Sequence, residues 1–580
     1  MPRRQSGALL ASGFVGLFVI VLAGATCGDN GTSKPPQDDG TRTPAVAERA
    51  QFDLFVFGRV RGTIAPCGCT TEPLGGLQYS FGMMQKDAEP GAWLAVEPRS
   101  FLYPDPKDPE APADAAGWEQ AERKATLLQT RFAKLGDRLV SGVGPLDASS
   151  PKGAAALAAH PLPRVAANVT AKPGVELAAH RVSRLKSGGL EWKVGVTTAI
   201  DPALAGTDAL GTVGPAAEAV RREIAAMKAA GAGTTVVLAQ GDRKFAEELA
   251  KDVDGIDIVV VGIVEGIERQ RLGTPPTHLG GKTWVVEPGE QMQTVTRLRL
   301  SVETKAGAVP AAADWTIVPA KAQLEAELAR IDERLKKFEA DPSADPAFLE
   351  RLRAERSDVT AKLSGTSEGA AVAVFEQVKV TCKLPADDEA KQMLAAYDQA
   401  IAAANKARFT GVKPPPPKKG KAGYVGVAAC ADCHEEAVEF WKTTVHAGAW
   451  ETLVEDNKDL DLSCVSCHVT GWRKPGGSEL VEHEGLQDVQ CEVCHGPGSL
   501  HVEDGGDDLK HITLKTTSSL CSGECHTPEH SDTFEYDAYM RDILGKGHGE
   551  NARKALGDGP TGAQLRKAGL EKAGGPCKKT

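Results

Sequence analysis

Residues 486–502 read LQDVQCEVCHGPGSLHV. Two cysteines, Cys491 and Cys494, are followed at once by His495, and a further histidine, His501, stands six residues on. Two thiols at this short fixed spacing can add to the two vinyl groups on one edge of a porphyrin. A histidine directly after the second thiol then lies over the ring and reaches the iron. The stretch therefore predicts a segment built around a covalently attached haem c, not around an apolar core.

The pattern recurs. Cys430 and Cys433 precede His434, Cys464 and Cys467 precede His468, and with Cys491, Cys494 and His495 they make three C-x-x-C-H motifs within 66 residues. A zinc site needs two C-x-x-C pairs and leaves a histidine after every pair unexplained. A fourth variant, CSGECH, places Cys521, Cys525 and His526 with one residue more between the thiols. Four haem c groups are expected, three of them from the regular motifs. Ten of the thirteen histidines lie from His434 onward, and six follow no cysteine: His446, His483, His501, His511, His530 and His548. As a group they supply second axial ligands, which give low-spin irons suited to electron transfer. Spacing alone does not say which iron each serves.

YVGVAACADCH, WKTTVHAGAW, LSCVSCHVTGW and VQCEVCHGPGSLHV together make residues 424–550 resemble the tetrahaem cytochromes of the c-554 type. The resemblance implies a mostly helical fold around stacked haems. It implies distal-ligand roles for His446, in the W-x-x-x-x-H stretch, and for His501, after the G-P-G turn. It also implies that the haem on His468 lacks a distal histidine, making it the candidate open site.

A net charge of −11 argues against nucleic acid as a partner. Arg3 and Arg4 before the apolar run Ala8–Ala25 read as an export signal over residues 1–26. Ala23 and Ala25 offer a cleavage site, while Cys27 stands where a lipoprotein's modified cysteine would; an uncleaved anchor is the third option. Residues 27–50, polar and rich in Gly and Pro, read as a disordered tether. Export is expected to leave the chain in the periplasm or anchored to the outer membrane of a Gram-negative cell. Membrane association would run through the signal or a lipid.

Upstream, FDLFVF (52–57), GLEWKVGVTTA (189–199), TTVVLAQGD (234–242) and GIDIVVVG (255–262) read as strands. They alternate with amphipathic helices such as AAEAVRREIAAMKAAGAG, which predicts an α/β layer fold. Over residues 51–305, PCGCTTEPLGGL and VAANVT make the stretch resemble the calcineurin-like metallophosphoesterases and 5'-nucleotidases. That family implies two metal ions whose bridging hydroxide attacks phosphate. The ligands it requires are mostly replaced. Arg59 and Arg61 stand for the first aspartate and histidine, EPRS (97–100) for the second motif, Gln240 for a later histidine, and Ile263 and Glu265 for the final pair. Only Asn168 remains, and it also suits a turn. The expected domain is a phosphoesterase-like fold without its metals.

Residues 306–410 read as a helical hairpin, with leucines at helical spacing across 321–363, followed by a returning strand and a closing helix. GVKPPPPKKGKAG, residues 411–423, is a stiff linker, and 551–580 a tail. Cys67 and Cys69 suit a metal, a strained disulfide or a loop pairing, while Cys382 and Cys577 are left to bridge each other or stay free. The functional expectation is an exported multihaem c-type cytochrome passing electrons between a redox donor and an acceptor protein. The alternatives are a haem oxidoreductase acting on a small nitrogen oxide at a five-coordinate iron, and a metal-dependent phosphohydrolase.

Overall fold

The computed structural model describes residues 49–580 except 67–68, 99–101, 105–111, 149, 154, 205–209, 263–272, 305–311, 365–368, 484, 529 and 578–580. The expected signal, Cys27, Cys67, Ile263 and Glu265 lie outside the described residues.

Two six-stranded sheets make the first part. One runs, edge to edge, Thr316–Pro319, Ala371–Lys379, Thr294–Glu303, Arg49–Val56, Trp93–Glu97 and Leu139–Ser141. The other runs Thr274–Leu279, Thr283–Glu287, Ile258–Val261, Thr234–Gln240, Leu190–Ile200 and Arg181–Ser187. Successive side chains of a strand point to opposite faces. Phe52, Leu54 and Val56 of one sheet accordingly meet Trp192, Val194, Val236 and Val260 of the other in a shared core. The outer faces are buried by helices: Ala216–Ala229 and Arg243–Asp252 cover one, while Leu77–Asp87, Ala115–Ala133 and Asp388–Phe409 cover the other. Helices thus flank two facing sheets, the α/β class read from the sequence, and a helical region follows from Val427.

The expected division at residue 305 does not coincide with an edge of the sheet. Ala371–Lys379 pairs antiparallel with Thr294–Glu303 and parallel with Thr316–Pro319, so the sheet is completed beyond the inserted helices Lys321–Glu339 and Pro346–Ser364. Those two helices pack on each other through Leu324, Ile331, Leu335, Leu352 and Val359, a small core of their own. Helix Asp388–Phe409 is tied back by a buried fork. Arg131 donates to both oxygens of Asp387 at 3.0 and 2.8 Å, and Asp387 caps the helix by accepting from the Ala390 amide at 2.7 Å.

Among the described residues the haem-motif region has a smaller interior, in which Leu453, Val465, Val469 and Leu480 pack with Ala116 and Phe409. Its elements are short: Val427–Ala431, Glu435–Trp441, Ala449–Glu455, Cys491–His495, Ser499–Glu503 and Ser518–Glu524 are seven residues or fewer. Helices of that length are not stable alone and need something to pack against. Part of that support comes from the sandwich. Gln120 on helix Ala115–Ala133 donates to Asp461 at 2.5 Å and Ser463 at 3.0 Å, and Asn405 donates to the Leu460 carbonyl at 2.8 Å. Asp114 caps that first helix and pairs with Arg473 at 2.5 Å. A Cys382–Cys577 disulfide joins the end of the first sheet to the C-terminal tail, settling one of the two readings open for that pair.

Candidate functional site

In the first motif the His434 amide donates to the Cys430 carbonyl at 2.9 Å, closing one helical turn around the two cysteines and the histidine. The fourth motif absorbs its extra residue in the same turn. The His526 amide donates to the Cys521 carbonyl at 2.8 Å, one position wider than in the first motif. This is a π-type widening at the end of a helix. It leaves the cysteine-to-histidine hydrogen bond intact.

The histidines come together in pairs across space. His434 stacks opposite His501 with ring centroids 6.4 Å apart and planes 18° from parallel, His446 faces His526 at 6.3 Å, and His495 faces His548 at 5.9 Å. An imidazole nitrogen binds a first-row metal at about 2 Å and the ring centroid lies roughly 1 Å beyond, so two rings on opposite sides of one metal sit about 6 Å apart. All three pairs fit that spacing. Each joins a motif histidine to one that follows no cysteine. A second observation agrees: Nδ1 of His501 is buried with no hydrogen-bond partner, a donor atom left over for a metal. The side chains present therefore fit haem.

His468 differs. Among the described residues no second imidazole stands opposite it. Its Nδ1 lies 2.5 Å from the Ala449 carbonyl, which fixes that nitrogen as the N–H and leaves Nε2 for a metal. His495 makes the same bond to the Thr513 carbonyl at 2.6 Å, and His548 to the Ile543 carbonyl at 2.8 Å. Burial holds His446 and His495 below the usual imidazole range, and burial together with His446 takes His526 down to about 4. These rings are neutral at physiological pH, the form that ligates.

The thiols show which motifs are neighbours. Cys430 and Cys491 are within hydrogen-bonding reach, as are Cys467 and Cys525. Cys494 has Cys521 as an electrostatic neighbour.

Of the other histidines, His483 is buried with Nδ1 2.9 Å from Ser478 Oγ and its ring edge-on to Trp450, His511 pairs with Asp504 at 2.9 Å, and His530 bonds Thr527 at 3.1 Å. His548 was one of six equivalent candidates in the sequence, and its pairing is visible only in three dimensions.

The phosphoesterase-like centre is filled differently. Arg59 and Arg61 both turn onto Glu290, a residue with no mark in the sequence. Gly58 makes this possible, since a Cβ there would come within 1.6 Å of the Gly289 carbonyl oxygen. Asn168 is spent on backbone: its Nδ2 donates to the carbonyls of Ile200 at 2.7 Å and Gly214 at 2.9 Å, and its Oδ1 accepts from the Ile200 amide at 2.9 Å. Gln240 is fully buried, and neither end of its amide has a partner. Among the described residues no three His, Cys, Asp or Glu side chains gather as a metal site.

Cytochrome c-554 of Nitrosomonas europaea is 36% identical over 93 residues, covering 13% of this chain and 40% of that protein. The chain thus spans about two fifths of that relative's length. Solved structures similar to the chain include the 5'-nucleotidase precursor from Thermus thermophilus, at 16% identity and a TM-score of 0.37 over 61% of this chain and 59% of that one. The calcineurin-like phosphoesterase YfkN from Bacillus subtilis is similar at 15% identity and a TM-score of 0.35, over 45% of this chain and 88% of that one. The model of the cytochrome c554 and c-prime family matches residues 429–496, the segment that carries the three regular motifs, and there the resemblance read from the sequence holds.

Proposed function

We propose that the chain is a multihaem c-type cytochrome that transfers electrons, with four haem c groups and a phosphoesterase-like domain that has no phosphatase activity. The observation that carries it is the set of three imidazole pairs at metal-bridging distance, each joining a motif histidine to a distant one. Cys430, Cys433, Cys464, Cys467, Cys491, Cys494, Cys521 and Cys525 hold the porphyrins. His434, His468, His495 and His526 would be the proximal ligands, and His501, His548 and His446 would close the first, third and fourth sites. Bound haem supplies an iron that exchanges one electron at a time. The protein's share is to fix the rings, exclude water and keep neighbouring sites close. The thiol contacts support an order in which the first motif adjoins the third, the third the fourth, and the fourth the second.

A second reading is favoured by His468. With no imidazole opposite, its iron would keep an open position, where a small nitrogen oxide could bind and be reduced or oxidised. Donor, acceptor and an exported, periplasmic or lipid-anchored location belong to the proposal as well. The pairing of Arg59 and Arg61 with Glu290 supports the absence of phosphatase activity.

Intact-mass analysis of the mature protein together with electron paramagnetic resonance of the oxidised state tests this reading. The expected result is four covalent haems, three low-spin and one high-spin. Bare polypeptide mass would refute the cytochrome reading, and four low-spin signals would remove the open site. His548→Ala should turn one low-spin signal high-spin and leave the haem count at four.

A further inference from the structure

We infer that Thr71 and Asp532 are positioning residues for the fourth motif: a loop of the sandwich fixes, through Ser531, how His526 presents its ring to its metal. The inference rests on the electron-transfer reading above and goes beyond it by giving the sandwich a part in that chemistry.

His526 is held unlike its counterparts. The Nδ1 atom of His495 meets a backbone carbonyl, which only accepts, and that of His468 meets one at 2.5 Å with the Thr452 hydroxyl farther off at 3.4 Å. That of His526 lies 3.0 Å from the Ser531 hydroxyl, a group that turns and can either donate or accept. Phe534 stacks on the same ring at 4.7 Å and Tyr539 meets it edge-on at 5.1 Å. The Tyr539 hydroxyl in turn contacts Ser531 at 3.4 Å and Thr533 at 2.9 Å. Between those two hydroxyl residues stands Asp532, and it points to the other part of the molecule. The Thr71 amide donates to its Oδ1 at 3.0 Å, and the Thr71 hydroxyl to its Oδ2 at 2.6 Å. Thr71 is 4% exposed. Its loop is fixed by a bond from Arg566 to the Cys69 carbonyl at 2.8 Å, and by Gly569, where a Cβ would approach the Thr71 hydroxyl to 2.8 Å.

A hydrogen bond to the non-ligating nitrogen sets the basicity and orientation of a ligating imidazole, and thereby the reduction potential of its metal. Shifting residues 531–533 alters that bond for His526 and for no other motif histidine. The rival account is that Thr71 and Asp532 only hold two regions together, which predicts lost stability and unchanged potentials.

The two accounts separate in the holoprotein. Thr71→Val, Thr71→Ser and Ser531→Ala are each checked for four haems by intact mass, then titrated potentiometrically with optical and paramagnetic detection. Thr71→Val is expected to move one midpoint potential and leave three in place. Ser531→Ala moves the same one further, and Thr71→Ser restores it. Four haems with all potentials unmoved in Thr71→Val and Ser531→Ala, whatever the melting temperature does, overturn the inference alone. A wild-type mass with no haem on Cys521 and Cys525 removes both the inference and the four-haem reading beneath it.

Discussion

The sandwich and the haem-motif region are one chain folded on two principles. In the sandwich, Phe52, Leu54, Trp192 and Val236 close a core from which water is excluded, and Arg59 is paired with Glu290 inside it. In the motif region the helices are short, the thiols are half-buried or exposed, and histidines face each other across gaps wide enough for a metal. The first is organised by apolar area removed from water. The second, on the function proposed above, is organised around a cofactor that brings its own apolar surface, so its polypeptide carries only a small share of a core.

The sharpest way to break that contrast is to withhold the cofactor. Chain made in a host without haem attachment should be cut by trypsin within 424–550 while fragments spanning the two sheets persist, read by mass spectrometry. Equal digestion of both regions would erase the distinction. Next in size, Trp192→Ala opens a cavity between the sheets and should cost about 3–5 kcal/mol in denaturant titration followed by circular dichroism. The haem spin states should stay as they were, because nothing in that core touches the motifs.

Removing one partner of a buried ion pair comes third. Asp387→Ala removes both close hydrogen bonds of the buried Arg131, leaving it only Glu389 at 3.9 Å, and should cost about 3 kcal/mol. Burial raises the Asp387 carboxyl, but the Arg131 guanidinium and the Ala390 amide outweigh it and hold it below the usual carboxylate range. Its contribution is therefore full above that range and is lost as pH falls through it. Asp387→Asn should flatten that acid limb of the stability curve. The smallest effect has the opposite sign. The Tyr397 hydroxyl is buried without a partner, so Tyr397→Phe should gain about 1 kcal/mol. A loss instead would mean that the hydroxyl is bonded once the cofactor is in place.

The sequence announced what is local and kept silent on what is not. Strand–helix alternation, the glycine after Ala216–Ala229 and the three regular motifs each fall within a few residues, where spacing translates directly into geometry. The strand Ala371–Lys379 was legible as a strand, but not as the neighbour of Thr294–Glu303, because an inserted hairpin separates them and no local period encodes pairing. Glu290 was invisible for the same reason, lying 231 residues from the Arg59 it neutralises. Histidine partners are the clearest case. That His446 should face His526, and His548 face His495, depends on how several short helices turn, which composition does not record.

The bridge between Cys382 and Cys577 encloses, in one loop spanning 195 positions, all eight motif thiols. Any oxidant able to seal that clasp can also join neighbouring thiols, such as Cys430 and Cys491. On the function proposed above, biogenesis demands a schedule: porphyrin must cap the inner sulfurs while they are reduced, and the outer pair, whose second member follows every motif thiol in the chain, locks afterwards. A cell that oxidises this protein too early would accumulate a colourless, cross-linked dead end.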